Sequence, residues 1–316
     1  MYTGKYFLVA LIAFFISYIL TPFISQLGKK QNFVDKPGYR KIHNDSIPNL
    51  GGIVIFFGFL LSILFIIPIQ GNIKALLAGS VIILLLGIVD DIANLRPRYK
   101  FIIQMIPALL VIIYHREILN QFINQQLFFL PITGYLLYPA ILLWIVGVTN
   151  SINLIDGLDG LACGISIISL VTFFILGLLI NFNYEIYNLL NIALIGSMIA
   201  FFRYNFYPAQ IFLGDSGSTF AGFMIASSGI LWVIFSGNVT FLIIPFIILA
   251  VPVGDTVFAV LRRYRNQKPI FQADQGHLHH RLLNRGISHR NVVLILLAIN
   301  GICCLIALTI VISYRM

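Results

Sequence analysis

Long apolar runs separated by short polar stretches dominate the chain. Runs of roughly 17 to 25 apolar residues are candidate transmembrane helices, and ten runs of about this length follow one another here. They cover residues 6–27, 51–69, 74–91, 99–115, 135–152, 160–181, 187–202, 217–235, 239–260 and 291–314. The longest polar interval, 261–290, leaves no room for a separate soluble domain. The pattern therefore predicts an all-α integral membrane protein of about ten transmembrane helices, with residues 1–316 forming one polytopic domain.

The composition supports this class of protein. Charged residues make up 10% of the chain, against about 25% in a typical soluble domain, and hydrophobic residues make up 59%. The first apolar run follows Lys5, as the apolar core of a secretory signal would. It is too long for such a core and lacks a small-residue cleavage site. We therefore expect this run to stay in the protein as a helix.

The basic residues indicate the orientation in the membrane. With ten spans, sixteen of the twenty lysines and arginines fall in one set of connections, and Lys5, Lys74, Arg116 and Arg315 fall in the other. Connections rich in lysine and arginine lie on the cytoplasmic side, so both termini are expected outside. The net charge of +9 then mainly reflects this orientation. It would also attract anionic headgroups or a phosphorylated substrate. No nucleic acid partner is expected.

The acidic residues also collect on the predicted cytoplasmic side. All nine aspartates fall there, whereas Glu117 and Glu185 fall on the outer side. Turn and helix-cap preferences explain some aspartates, but they explain poorly the pair Asp90 and Asp91, which ends an apolar helix. A charge at membrane depth costs about 2.5–3.5 kcal/mol on insertion scales, so such residues mark functional sites. Five polar stretches, 35–52, 89–100, 150–160, 203–218 and 261–286, therefore predict one active site on the cytoplasmic face.

Clustered aspartates, amides, histidines and basic residues indicate Mg²⁺ acting on a polyphosphate, with Mn²⁺ as a substitute. Mg²⁺ takes one or two carboxylates and completes its octahedron with waters and phosphate oxygens, and basic side chains neutralise the remaining phosphate charge. Two aspartate- and glycine-rich segments, "DGLDGLACG" and "FLGDSGSTF", open helices whose N-termini favour anions. Zinc is less favoured, because the H-x-H-H segment lacks thiolate partners and zincin spacing.

The polar segments of the chain resemble those of a known family, the bacterial polyprenyl-phosphate N-acetylhexosamine-1-phosphate transferases. This family belongs to the superfamily that contains phospho-MurNAc-pentapeptide translocase. The matching segments occur in family order over nearly the whole chain. They are R-K-x-H…P-x-x-G-G (Arg40 to Gly52), D-D-x-x-N-L-R-P-R-x-K (Asp90 to Lys100), N-x-x-N-x-x-D-G-L-D-G (Asn150 to Gly160), N-x-x-P-A-x-x-F-L-G-D-S-G-S (Asn205 to Ser218) and D-x-x-H-L-H-H-R-L (Asp274 to Leu282).

The resemblance implies a reaction. UDP-N-acetylhexosamine and undecaprenyl phosphate would give an undecaprenyl-pyrophosphoryl sugar and UMP, with Mg²⁺, at a bacterial cytoplasmic membrane. The H-L-H-H form resembles the branch that initiates teichoic acid, O-antigen or enterobacterial common antigen synthesis. The peptidoglycan translocase would instead show three consecutive histidines and a T-P-T-M-G-G loop. Here Pro48 to Gly52 reads P-N-L-G-G, and Asn49 replaces the arginine often found in the GlcNAc branch, so UDP-MurNAc-pentapeptide or a deoxy sugar stays an alternative donor.

The resemblance also implies roles for individual residues. Asp215 and Asn153 would ligate Mg²⁺. Asp90 would deprotonate or orient the lipid phosphate, with Asp91 steering the same cluster, and Asp156 and Asp159 would hold the metal–diphosphate geometry and the sugar. The expected substrate-binding residues are Lys100 at the acceptor phosphate, Phe212 at the uracil, His279, His280 and Arg281 at the donor pyrophosphate, and Asn94, His277, Lys41 and His43. Whether an aspartate attacks first or the lipid phosphate attacks directly is open, as is a homodimer.

Other classes of protein fit less well. A secondary transporter places its ionisable groups near the membrane midplane and often shows repeated halves, whereas the acids here lie at helix ends on one side. An intramembrane aspartyl protease with a G-x-G-D signature would need glycine at Phe212 or at Pro252. A non-catalytic scaffold would not require so many costly carboxylates. The transferase reading is therefore the hypothesis that the structure must test.

Overall fold

The computed structural model describes residues 2–35, 46–66, 71–126, 131–180, 184–269 and 276–315. Helices form almost all of the described chain. They are α1 (Tyr2–Lys30), α2 (Gly51–Leu64), α3 (Ile73–Ala93), α4 (Pro97–Tyr114), α5 (Arg116–Gln126), α6 (Pro131–Ile155), α7 (Leu161–Leu178), α8 (Glu185–Asn205), α9 (Gly214–Ser236), α10 (Ile243–Ile248), α11 (Ala250–Arg265), α12 (Leu278–Leu283) and α13 (His289–Arg315). A 3₁₀ helix (Val239–Leu242) precedes α10, and two short strands, β1 (Val34–Asp35) and β2 (Ile47–Pro48), pair in antiparallel register.

Eight of the described helices are long and apolar enough to cross a membrane: α1, α3, α4, α6, α7, α8, α9 and α13. The all-α membrane class predicted from the sequence is thereby confirmed. Each of the ten predicted runs contains a described helix, but two runs differ from a simple span. The run 51–69 forms the 14-residue helix α2, and the run 239–260 is bent by 83° between α10 and α11.

Proline accounts for the bend in the run 239–260. Pro252 has no N–H with which to bond the carbonyl of Ile248, four residues earlier, and its ring crowds that carbonyl. The helix breaks at Leu249, between these two residues. The carbonyl of Ile248 lies near the thiol of Cys304 in α13, at 3.9 Å. The bend gives α11 a direction that a straight span would not have.

The core of the bundle is α9, which is nearly covered along its whole length, whereas α1 and α13 are mostly exposed at the periphery. Glycines bring neighbouring helices onto the first turn of α9. A methyl group at Gly52 or Gly87 would collide with the backbone of Ser216, so α2 and α3 approach that turn more closely than any other residue would permit. The beginning of α9 is therefore fixed from two sides.

The segment before α9 is also held by its backbone. The N–H of Phe212 donates to the carbonyl of Pro48 at 2.8 Å, and the N–H groups of Gly51 and Gly52 donate to the carbonyls of Phe212 and Leu213 at 3.0 Å. These bonds join the start of α2 to the start of α9. Polar residues at both helix starts are thus placed at one end of the bundle.

Candidate active site

Four helix ends meet at this end of the bundle. Asp90 and Asp91 lie in the last turn of α3, Lys100 in the first turn of α4, Asn153 in the last turn of α6, and Asp215 in the first turn of α9. They come from distant parts of the sequence, yet direct contacts join them. The predicted convergence of Asp90, Asp91, Asn153 and Asp215 is therefore observed.

Lys100 links two carboxylates. Its Nζ contacts Oδ2 of Asp90 and lies 3.2 Å from Oδ2 of Asp215. Asp90 is only 3% exposed, and its Oδ1 accepts the N–H of Leu95 at 2.9 Å. A buried carboxylate is tolerated when it is paired and hydrogen-bonded in this way. The lysine holds the two acids together at the position where a phosphate or a cation would approach.

Asn153 supports Asp215 from the opposite side. Its Nδ2 donates to Oδ1 of Asp215 at 2.7 Å and to Oγ of Ser218 at 2.9 Å. The hydroxyl of Ser218 donates in turn to the carbonyl of Gly214 at 2.8 Å. The side chain of Asp215 is therefore oriented by an amide and a lysine, and α6 is tied to the first turn of α9.

Asp91 makes contacts of a different kind. Its Oδ1 accepts the N–H of Asp215 at 2.8 Å, and its Oδ2 accepts the N–H of Ser216 at 3.1 Å. Nδ2 of Asn49 also donates to Oδ1, at 2.8 Å. A carboxylate at the unsatisfied N–H groups of a helix N-terminus satisfies them and complements the helix dipole. Asp91 thus caps α9 from a neighbouring helix, a contact that positions Asp215.

Asp156 follows α6 and differs from its neighbours. Within the described chain its carboxylate has no hydrogen-bond partner. Burial, followed by the negative charges of Asp215, Asp91 and Asp159, raises the pKa of Asp156 well above its usual value. These charges act on Asp156 only because the acids lie close together. Asp156 therefore offers a carboxyl group that a ligand of the site can contact.

Asp159 fixes a nearby loop. Its Oδ2 accepts the N–H of Ala209 at 3.0 Å, and its own N–H donates to Nε2 of His289 at 3.0 Å. The ring of His289 lies 4.5 Å from that of Tyr207. Asp159 therefore joins the loop before α9 to the start of α13. We call Asp90, Asp91, Asp156, Asp159 and Asp215 the aspartate cluster.

The histidine segment, His277 to Arg281, approaches the aspartate cluster at Gly157. A methyl group on Gly157 would collide with the ring of His279, so this glycine makes room for the imidazole. Burial, with the positive charges of His280 and His277, lowers the pKa of His279 to about 4, so the ring is neutral near pH 7. Its buried Nδ1 has no partner in the described chain, which leaves a polar atom for a ligand.

The remaining predicted residues lie in varied positions. Asn94 ends α3 in the left-handed conformation and is exposed, and its N–H donates to the carbonyl of Asp90. Phe212 is half-buried, and its backbone forms hydrogen bonds with Pro48 and Gly51. Arg281 is exposed on α12. Lys41 and His43 lie outside the described residues.

Sequence reasoning missed several residues that build this site. Asn49 was noted only as a departure from a family pattern, yet it holds Asp91. Ser218 enters the sequence analysis only as the last residue of a matching segment, yet it contacts Asn153. Asp255 carries the same signal as Asp90 and Asp91, the cost of a carboxylate beside an apolar run, but the sequence assigns it no role; its carboxylate contacts the histidine segment.

The donor set suits Mg²⁺ better than a metal that needs several strong ligands. The described residues contain no group of three or more histidines, cysteines or acids arranged to hold a metal. Asp90 and Asp215 instead form a pair bridged by an ammonium group. Mg²⁺ is commonly bound by one or two carboxylates together with substrate phosphates. The pair therefore fits an ion that arrives with a phosphorylated ligand.

These features define a polytopic membrane protein whose acidic site lies at helix ends. Residues 73–234, which include Asp90, Lys100, Asn153 and Asp215, match the model for glycosyl transferase family 4. The chain belongs to this family, which confirms the resemblance noted in the sequence.

Related proteins cover most of the chain. A Bacillus subtilis (strain 168) protein named "Probable undecaprenyl-phosphate N-acetylglucosaminyl 1-phosphate transferase" is 38% identical over 92% of this chain and 82% of its own. A Thermotoga maritima protein named undecaprenyl-phosphate alpha-N-acetylglucosaminyl 1-phosphate transferase is 30% identical, over 90% of this chain and 84% of its own. A Prochlorococcus marinus subsp. pastoris phospho-N-acetylmuramoyl-pentapeptide-transferase is 31% identical over the same shares.

The contact between Gly157 and His279 gives a testable prediction. Replacing Gly157 with alanine should push the imidazole away and lower enzymatic turnover roughly tenfold, because small displacements of positioned groups are costly to catalysis. Turnover and thermal unfolding would be measured on the purified protein. Gly147→Ala is the matched control, since a methyl group there meets no atom within 4 Å. Equal turnover of the two variants would contradict a role for the His279 position.

Proposed function

We propose that this protein transfers N-acetylglucosamine-1-phosphate from UDP-N-acetylglucosamine to undecaprenyl phosphate and releases UMP. The observation that carries the proposal is the aspartate cluster, bridged by Lys100, at one end of a bundle of membrane-length helices. The names of the Bacillus and Thermotoga relatives support the same donor and acceptor. A lipid acceptor accounts for a polar site at the ends of apolar helices, and a soluble donor accounts for its position at those ends.

Two sequence features favour N-acetylglucosamine over the pentapeptide donor. The histidine segment reads H-L-H-H rather than three consecutive histidines, and Pro48 to Gly52 reads P-N-L-G-G. The Prochlorococcus relative keeps a MurNAc-pentapeptide donor as the alternative. Both donors carry a UDP group, so the difference between them concerns the sugar and not the reaction.

The residues of the site have separate tasks in this proposal. Asp215 and Asn153 would hold Mg²⁺ with the donor diphosphate, and the ion would supply positive charge to the transferring phosphoryl group. Asp90 would orient the acceptor phosphate, and Lys100, whose ammonium contacts both Asp90 and Asp215, would bind it. Phosphoryl transfer depends mainly on positioning and charge neutralisation, and four fixed helix ends provide such positioning.

Asp156 and His279 would complete the donor site. Asp156 is the carboxylate without a partner among the described residues, and His279 offers an unpaired Nδ1. Because His279 is neutral, it would act by hydrogen bonding, whereas the exposed guanidinium of Arg281 would neutralise charge. Both sides of a diphosphate would then be held by residues from α12 and from the loop before α7.

The expected location is a bacterial cytoplasmic membrane, with the site on the cytoplasmic face and both termini outside. Sixteen of the twenty basic residues support this orientation. A cytoplasmic site would meet its nucleotide-sugar donor directly. The lipid-linked product would then serve as the first membrane intermediate of a cell-surface glycopolymer.

The test is a transfer assay with the purified protein. Undecaprenyl phosphate, MgCl₂ and one UDP-sugar at a time would be supplied, with UMP release and labelled lipid as the readouts. UDP-N-acetylglucosamine should give both products, and chelation of Mg²⁺ should stop the reaction because the carboxylates would lose their cation. Product formation from UDP-MurNAc-pentapeptide alone, or from no UDP-sugar, would contradict the proposal.

A further inference from the structure

A carboxylate–imidazole pair lies outside the aspartate cluster. Asp255, in the second turn of α11, is 5% exposed, and His277, at the start of α12, is 7% exposed. Nδ1 of His277 lies 2.8 Å from Oδ2 of Asp255. Oδ1 of Asp255 accepts the N–H of Leu278 at 2.9 Å. Both carboxylate oxygens are thus used on the same short segment.

This pairing fixes the protonation pattern of the imidazole. A carboxylate accepts hydrogen bonds, so Nδ1 of His277 carries the proton and donates it to Asp255. Nε2 is then the ring atom left for another partner, and within the described chain it has none. A carboxylate that holds one imidazole nitrogen sets the orientation and tautomer of the whole ring.

The histidines extend from Asp255 towards the aspartate cluster. The rings of His277 and His279 are nearly parallel, with an angle of 5° and centroids 5.8 Å apart. His279 packs on Gly157, the residue next to Asp156. The position of His277 therefore determines where its neighbour meets the loop that carries Asp156.

The bend of the broken span brings Asp255 to this position. α11 leaves α10 at 83°, and Asp255 follows the break by six residues. A straight continuation of α10 would carry the carboxylate along the α10 axis, away from its present place beside α12. The break therefore places Asp255 beside His277, in addition to changing the direction of the span.

We propose that Asp255 is a positioning residue for the transfer reaction, acting through His277, whose Nε2 it presents to the diphosphate of the nucleotide-sugar donor. The inference rests on the proposed function and adds to it a residue from the bent span. Asp255 itself touches neither substrate. Its effect is to hold the ring of His277, and through it the histidine segment, in one orientation.

Asp255→Asn tests this role with little change of shape. The asparagine oxygen can still accept the N–H of Leu278, but its NH₂ group would face Nδ1 of His277 and reverse the tautomer. We expect kcat/KM for the UDP-sugar to fall roughly 10- to 100-fold, the range for loss of a residue that orients an imidazole ligand. KM for undecaprenyl phosphate should not change. The ¹⁵N shifts of His277, assigned by their loss in His277→Ala, should show the proton moved from Nδ1 to Nε2.

A double-variant comparison separates positioning from general stability. In a His277→Ala background, Asp255→Asn should cause little further loss, because the group through which it acts is gone. Asn238→Ala is the control for losing a helix cap, since Oδ1 of Asn238 accepts the N–H of Thr240 in the 3₁₀ helix, and its activity should be unchanged. An equal loss from Asp255→Asn in both backgrounds, with a lower unfolding temperature, would overturn the inference.

The same experiment distinguishes two kinds of failure. Full activity of Asp255→Asn beside an active unsubstituted protein would overturn the positioning role alone. Absence of UMP release from the unsubstituted protein would overturn the proposed function, and the inference with it.

Discussion

Replacing Asp215 with asparagine is expected to abolish Mg²⁺-dependent release of UMP while the protein stays folded. The substitution keeps the shape of the side chain and leaves the backbone N–H of residue 215 free to bond Asp91. It removes the charge that faces Lys100 and would face the cation. Loss of one fixed electrostatic group at a phosphoryl-transfer site should reduce turnover on the order of 10³-fold or more.

Stability should respond much less than activity. The carboxylate of Asp215 is paired with Lys100 and accepts a hydrogen bond from Asn153, but it also lies among four other aspartates and raises the pKa of Asp156. Asp215→Asn loses the ion pair and also relieves repulsion among like charges, so the two effects oppose each other. The unfolding temperature of Asp215→Asn should therefore stay close to that of the unsubstituted protein.

The measurement is UMP release across a Mg²⁺ titration, with thermal unfolding of the same preparations. Glu185→Gln, in the first turn of α8, is the matched control because it also neutralises one acid and belongs to the other predicted face. It should keep normal turnover. Near-normal activity of Asp215→Asn, or a large fall in its unfolding temperature, would refute the assignment of Asp215 to the metal.

The sequence predicted most of the helices because the bilayer imposes a simple rule on length and composition. An apolar run either reaches membrane length or does not, and α3, α7 and α9 follow the predicted runs closely. The rule does not reveal a bend inside a run. Pro252 accounts for the break at Leu249, but Pro22, Pro107 and Pro139 lie inside helices that continue, so a proline in an apolar run does not by itself predict a bend.

The sequence also predicted which aspartates belong together, but not what each one does. Asp90 and Asp91 are adjacent and chemically identical, so composition and spacing assign them the same environment. In the fold, consecutive residues of a helix point about 100° apart, and the two carboxylates meet different partners. Asp90 pairs with Lys100, whereas Asp91 bonds the first N–H groups of α9 and the amide of Asn49. Contacts between residues so distant along the chain leave no local signal.

Replacing Asp91 with asparagine should distinguish a positioning role from a metal role. The variant loses the charge that complements the N-terminus of α9. Its amide oxygen can keep the bonds from the N–H of Asp215 and from Asn49, but its NH₂ group cannot accept the N–H of Ser216. Loss of the charge and of this hydrogen bond should lower the free energy of unfolding by about 1.5–3 kcal/mol. Turnover should fall on the order of 10²-fold, because the first turn of α9, which carries Asp215, would be held less firmly.

The expected signature of Asp91→Asn is the reverse of that of Asp215→Asn. Its unfolding temperature should drop, and its residual activity should keep nearly the Mg²⁺ dependence of the unsubstituted protein. Asn49→Ala is the informative companion, since it removes one donor to Asp91 and should lower the free energy of unfolding by about 1 kcal/mol with a smaller loss of turnover. If Asp91→Asn instead lost its Mg²⁺ dependence at an unchanged unfolding temperature, Asp91 would belong with the metal-holding residues, because a carboxylate whose main task is to cap α9 cannot be removed without cost to the fold.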